Sequence, residues 1–139
     1  MIVLDTNVLA ELMRPSPAPD VVGWVAAQPT ASLFTTTVTQ AELLYGIAVL
    51  PPSKRRDTLT ALVEGMFAED FNLRVLPFDA AAAHEFAPIA AQRRAIGRPI
   101  AQFDAQIAAI ARSRAAAVAT RNTRDFEDCG ILLSNPWKA

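Results

Sequence analysis

The sequence predicts an α/β fold, a three-layer α/β/α sandwich built around a mainly parallel sheet, and three observations predict it. Five short runs of β-forming residues alternate with longer segments of helical period. The runs are continuously apolar, as strands covered on both faces are. Prolines 15, 17, 19, 51, 52 and 99 fall between these segments or at helix starts, where a missing N–H is tolerated. At 139 residues the chain has the length of a single domain, 1–139. A chain of this size hides about 68–70% of its unfolded surface, enough for a sizeable core.

In order, the first strand is "IVL" at 2–4, running directly into Asp5, Thr6 and Asn7 and the helical segment "NVLAELM". "PDVVGWVAAQ" opens a second helix on a proline. The second strand is "SLFTT" at 32–36, followed by "TQAELLYGIAVL", in which Thr39 and Glu42 have the S/T-x-x-E spacing of a capping box. That spacing makes Thr39 the cap and sets Glu42 in the first turn. "RDTLTALVEGMFAEDF" is helical and leads to a third strand, "LRVLPF" at 73–78. Two further helices, "DAAAAHEFAPIAAQRRAIG" and "IAQFDAQIAAIARSR", precede the fourth strand "AAVAT" at 116–120 and the fifth, "GILLS" at 130–134.

Composition removes several function classes. No apolar run reaches the ~18 residues needed to span a bilayer, and "MIVLD" has neither a basic n-region nor a small-residue cleavage site. A cytoplasmic protein without membrane association is expected. The single Cys129 forms no disulfide framework and has no Cys or nearby His companion for a zinc site, so it reads as a small apolar filler. The lone His84 reads as a helix-surface or packing residue. Net charge is −1, without the overall basic footprint of a nucleic-acid binder. Local clusters remain at Lys54, Arg55 and Arg56, at Arg93, Arg94 and Arg98, and at Arg112, Arg114, Arg121 and Arg124. Solvated helix faces and helix C-termini account for most of them.

In a parallel sheet the ligand site lies beyond the carboxyl ends of the strands, where Asp5 stands. Alone, Asp5 or Thr6 reads as a helix cap. Glu42 follows the second strand at the same edge. Asp104 is the most informative acid: its helical neighbours at minus four, minus three, plus three and plus four are Ile100, Ala101, Ile107 and Ala108, so it lies on the stripe expected to face the core. An ionised carboxylate there needs a partner. Lysine occurs only at 54 and 138, leaving an arginine or a metal. Thr120, Asn122 and Asp125 leave the fourth strand at the same rim; alone, the last two read as turn and cap residues. Carboxylates that converge without lysine repel one another, and a divalent cation removes that penalty. Oxygen-only ligands suit Mg²⁺ or Mn²⁺, which can activate water and stabilise charge at a phosphoryl oxygen. The chemistry indicated is phosphodiester hydrolysis.

Taken together, "VLDTNVLAEL", "TQAELLYG", "FDAQIAAIA" and "ATRNTRDF" leading to "LLSNPW" resemble the PIN domain, most closely the VapC-type (FitB-like) ribonuclease toxins of bacterial toxin–antitoxin pairs, over about residues 2 to 137. The resemblance implies a PIN-like nuclease fold and a metal-dependent endoribonuclease. By motif, Asp5 and Asp104 look like the direct metal ligands and Glu42 like the second acid, with Thr6 and Asn7 in support. At the fourth position Asn122 stands where some members have Asp, and Asp125 follows three residues later, leaving one metal or two open. The resemblance further implies RNA as substrate, Mg²⁺ or Mn²⁺ as cofactor, a homodimer, and a small DNA-binding antitoxin as partner. Beside the motifs, Asp5 reads as a metal ligand rather than a cap. Two other classes remain: an aspartate-nucleophile phosphohydrolase, against which Asn7 stands where a second Asp is expected, and a PIN-fold RNA-binding or RNA-maturation protein without a toxin role.

Overall fold

The computed structural model describes residues 1–138. Strand β1 (Ile2–Leu4) is followed by α1 (Thr6–Leu12), α2 (Pro19–Ala27), β2 (Leu33–Thr36), α3 (Thr37–Ala48) and α4 (Lys54–Gly65). Then come β3 (Val75–Leu76), α5 (Ala80–Ala95), α6 (Gln102–Ser113), β4 (Ala117–Ala119) and β5 (Leu133–Ser134). The strand order is β3-β2-β1-β4-β5, and all four pairings are parallel. Ile2 lies opposite Leu33 on one side and Ala117 on the other.

β1 needs apolar side chains on both faces because both are covered. Val3 packs with Ile107, Ile110 and Val118 under α5 and α6, whereas its neighbour Leu4 packs with Leu9, Val21 and Val63 under α1, α2 and α4. The three predicted layers are therefore present. The chain walks outward from β1 to β2 and β3, then crosses to β4 on the other side of β1. The segments leaving β1 and β4 thus diverge, which opens a crevice at a topological switch point. Asp5 and Thr120 stand at its two lips.

All five predicted strands form, but the edge strands are shorter than the apolar runs. Leu73 takes φ 63° and is 94% exposed, so "LRVLPF" pairs only at Val75 and Leu76, and Pro77 brings no N–H to continue the ladder. Gly130 at φ 74° similarly delays β5.

The capping box is not where the spacing put it. Thr36 is the N-cap of α3, its Oγ1 accepting from Thr39 N at 3.0 Å. Glu42 consequently lies in the second turn, and its carboxylate does not reach back to Thr39. α4 starts two residues early on a Ser53 cap and passes into a π-helical turn at Met66–Asp70. α5, capped by Asp79, carries Pro88 internally and ends at Gly97, whose φ of 75° lets Arg98 N return to Arg93 O at 2.8 Å. His84 is exposed on α5, and Cys129 is buried in the core as a filler. Among the described residues no helix is long and apolar enough to cross a membrane.

Candidate active site

Asp5 is both cap and site residue, and the two readings are not alternatives. Its Oδ1 accepts from Thr6 N at 2.8 Å, capping α1. Its Oδ2 accepts from Thr120 Oγ1 at 2.8 Å and Asn7 Nδ2 at 3.3 Å. Asn7 Nδ2 also donates to Thr120 Oγ1 (3.2 Å), Asn7 Oδ1 accepts from Arg121 N (3.2 Å), and Thr120 Oγ1 accepts from Asn122 N (3.1 Å). The lips of the crevice are thereby tied together through the two oxygens of one carboxylate. Burial holds the Asp5 carboxyl above its ordinary range, opposed by the hydrogen bonds from Thr120 and Thr6 and reinforced by the charge of Asp125.

Thr6 connects the second acid. Its Oγ1 donates to Glu42 Oε1 at 2.8 Å and lies 3.1 Å from Thr39 Oγ1. Burial raises the Glu42 carboxyl, the Thr6 hydrogen bond opposing and the Asp5 charge adding. Glu42 Oε2 makes no hydrogen bond to a described residue.

Asp104 is less deeply placed than its neighbours implied. Ala101 is exposed and Asp104 half-buried, and the buried stripe of α6 runs from Ala105 through Ile107 to Ala111. Asp104 occupies the first turn of a helix whose N-cap, Ala101, contributes no side-chain bond, which places it at the positive end of the helix dipole. Even so its carboxyl is raised to about 6, by burial first and then by Asp5, Asp125 and Glu42, with Arg93 pulling the other way.

Asp125 sits in the 3-10 turn Thr123–Phe126, exposed, with its charge acting on both Asp5 and Asp104. Asn122 occupies the cap position of that turn but makes no side-chain capping bond. The four acids thus feel one another, while none is in an ion pair: the ion pairs among the described residues are Arg14–Glu11, Arg98 with Glu127 and Asp128, Arg112–Glu85 and Arg114–Asp79. The Arg121 guanidinium instead lies over the Trp137 ring, 5.2 Å from its centroid.

These acids have the chemistry of a hard-cation site. No three His, Cys, Asp or Glu side chains among the described residues are gathered into a ready-made cage. Mg²⁺ characteristically takes one or two carboxylates and keeps its waters, and unpaired carboxylates that raise one another's proton affinity are suited to such an ion.

Beside Glu42 a groove of about 660 Å³ opens between α1, α3 and α4. Met13, Leu43, Ile47 and Leu59 make its floor apolar, and Arg14 and Arg55 flank it.

Two buried charged residues escaped the sequence reading. Glu11, 6% exposed, accepts from Ala18 N at 3.0 Å and pairs with Arg14. Arg93 belongs to a cluster read as solvated, yet is 4% exposed. Its helical neighbours at minus four and minus three, Ile89 and Ala90, are apolar, a partial signal, since Ile96 at plus three lies beyond the end of α5 and is exposed.

Acids at the switch point of an all-parallel sheet agree with the class that the sequence match shows: the chain belongs to the PIN domain family, whose model matches residues 2–132. More particularly, it is 42% identical to the plasmid stability protein StbB of Pseudomonas syringae pv. tomato, over the whole of both chains. It is 41% identical to the VapC ribonuclease Y4jK of Sinorhizobium fredii, over 99% of each, and 36% identical to the toxin FitB of Neisseria gonorrhoeae, again over 99% of each. Among solved structures it superposes on FitAcB from Neisseria gonorrhoeae with a TM-score of 0.93 at 36% identity, covering 100% of both chains. DNA-bound VapBC from Salmonella typhimurium gives a TM-score of 0.79 at 29% identity, covering 97% of both chains.

Proposed function

We propose that this chain is the toxin of a toxin–antitoxin pair, an Mg²⁺- or Mn²⁺-dependent endoribonuclease acting on RNA in the cytoplasm. The observation that carries the reading is the carboxylate pair at the crevice, Asp5 bonded across it to Thr120 and Glu42 held beside it by Thr6, with the charges of Asp104 and Asp125 acting on the same place and none of the four in an ion pair among the described residues. Relatives named as a VapC ribonuclease and a toxin support it at full length.

Asp5 and Asp104 would hold the ion, with Asp125, and Asn122 beside it, at the fourth position. The ion supplies charge neutralisation and polarisation at the phosphoryl oxygen. Thr120 and Asn7 hold Asp5 Oδ2 in place, and Thr6 holds Glu42 Oε1, which leaves Oε2 to take the proton of the attacking water. Burial raises the proton affinity of Glu42, which makes it a better proton acceptor than a fully hydrated carboxylate. Water, and not the ribose 2′-hydroxyl, attacks phosphorus, the P–O3′ bond breaks and the 3′-oxygen leaves to take up a proton, so the products carry 5′-phosphate and 3′-hydroxyl ends.

The partner is a small DNA-binding antitoxin, as in the FitA–FitB and VapB–VapC pairs. An apolar antitoxin segment lying in the α1–α3–α4 groove would run to Glu42 and cover the acids. The toxin itself acts as a homodimer.

Purified chain free of copurified inhibitor is incubated with RNA and either ion, or with EDTA, and the product ends are mapped. Cleavage with 5′-phosphate ends, lost in EDTA and in Asp5→Asn and Asp104→Asn, is expected. Intact RNA under every condition, or cyclic-phosphate ends, overturns the mechanism.

A further inference from the structure

Two of the four acids ride on segments that the sheet does not itself hold together. Asp104 begins α6 after the irregular stretch 96–101, and Asp125 lies in a short turn after β4. Both segments meet at Arg93, near the end of α5. Its Nε donates to Arg98 O at 2.7 Å, at the start of the stretch leading to Asp104. Its Nη1 donates to Asp125 O at 2.8 Å and Glu127 O at 3.0 Å, and approaches Cys129 Sγ at 3.8 Å. The side chain is buried and has no carboxylate partner within ion-pair distance among the described residues.

A buried guanidinium without a counter-ion is costly, and a single carbonyl could be satisfied more cheaply by a neutral donor. What only a planar fork of fixed donors provides is a brace between two chain segments at once. Its charge is also the cation whose field reaches Asp104. Arg98 spans the same two segments from outside, through Arg124 O at 3.1 Å and ion pairs to Glu127 and Asp128, but is partly exposed.

We propose that Arg93 is a positioning residue of the nuclease site: by bracing Arg98 O against the Asp125 and Glu127 carbonyls, it sets the spacing between Asp104 and Asp125 that the divalent cation requires. The inference rests on the proposed function, since it presumes that these two acids serve one ion.

The test is calorimetric titration of Mn²⁺ into the wild-type protein and into Arg93→Lys, Arg93→Gln, Asp125→Asn, Asp104→Asn and the Arg93→Lys/Asp125→Asn double variant, with folding checked by thermal melts. Arg93→Lys keeps the charge and loses the fork, and should weaken Mn²⁺ binding about 10-fold or more, in the range typical for groups that orient metal ligands. In the Asp125→Asn background the same change should cost less than about 2-fold, because the brace then has nothing to place. A merely structural role would give the same loss in both backgrounds. Arg98→Met, which removes the outer ion pairs and the bond to Arg124 O but leaves the Arg98 carbonyl that Arg93 holds, should stay within about 2-fold of wild type.

Equal losses in the two backgrounds, unchanged affinity in Arg93→Lys, or no effect of Asp125→Asn each overturn the inference. Failure of both Arg93 variants to fold assigns the residue to folding alone and overturns it as well. If Asp104→Asn binds Mn²⁺ like wild type, it is the proposed function that fails. Loss of binding there, with Arg93→Lys unchanged, removes the brace and leaves that function standing.

Discussion

Asp104→Asn removes a charge that the folded protein holds against its will, so in the absence of a divalent cation it should stabilise the protein. A carboxyl raised from 3.8 to about 6 would cost about 3 kcal/mol of folding free energy at neutral pH if fully shielded from water. Asp104 is only half-buried, and solvent screening reduces this to about 1 kcal/mol. Because the folded-state value is the higher one, the folded chain binds more protons than the unfolded chain between about pH 4 and 6. Stability is therefore lost as pH rises through that window, and the full penalty stands at pH 7.5. Urea denaturation in EDTA at pH 7.5 should show Asp104→Asn more stable than wild type by about 1 kcal/mol, or about 3–4 °C in melting temperature. The gain should be roughly halved at pH 5. With Mn²⁺ at about 100 times its dissociation constant the order should invert, since wild type gains about 2.7 kcal/mol from the ion and the variant loses that gain. A variant less stable than wild type in EDTA at pH 7.5 would refute the reasoning, showing that the carboxylate is held by favourable contacts rather than against repulsion.

Thr120→Val keeps the shape of the side chain but removes the hydroxyl that donates to Asp5 and accepts from Asn7 and Asn122; denaturation should show a loss of about 1–3 kcal/mol, with weaker Mn²⁺ binding by calorimetry. Glu42→Gln preserves the bond from Thr6 and should lower the rate of RNA cleavage about 10²-fold or more, while Mn²⁺ affinity stays within about 3-fold, as single-turnover kinetics and titration would read. Expression of wild type without antitoxin should arrest bacterial growth, and Asp5→Asn should not. Leu62→Glu, placing a carboxylate at the partly exposed mouth of the groove, should reduce antitoxin capture in a pull-down while RNA cleavage by the free protein is retained.

The strands and helices were legible because their signals are local: "IVL" and "AAVAT" are apolar on both faces, and a central parallel strand has to be. The convergence on one rim followed from placing acids after strands, with the parallel order doing the rest. The start of α3 was misplaced because Thr36, Thr37 and Thr39 all carry a hydroxyl that can cap, and only the sheet decides which one leaves the extended conformation first. Asp104 was set too deep because Ala101 is apolar yet lies outside the helix, so the stripe begins one turn later. Arg93 was missed for a different reason. Basic residues near a helix C-terminus satisfy the dipole and need no further explanation, and its carbonyl partners lie 32 and 34 residues away.

Strands β1 and β4 are neighbours in the sheet although most of the chain separates them. Asp5 directly follows β1 and Glu42 stands on the helix that follows β2, but the hydroxyl that fixes Asp5 comes from Thr120, and the turn bearing Asp125 follows it. Closing a loop of 115 residues between Thr120 and Asp5 makes the ordering of the crevice a long-range step of folding, later than the local helices and the β1–β2 pairing. Partly folded chains would therefore carry Asp5 without the bond that orients it.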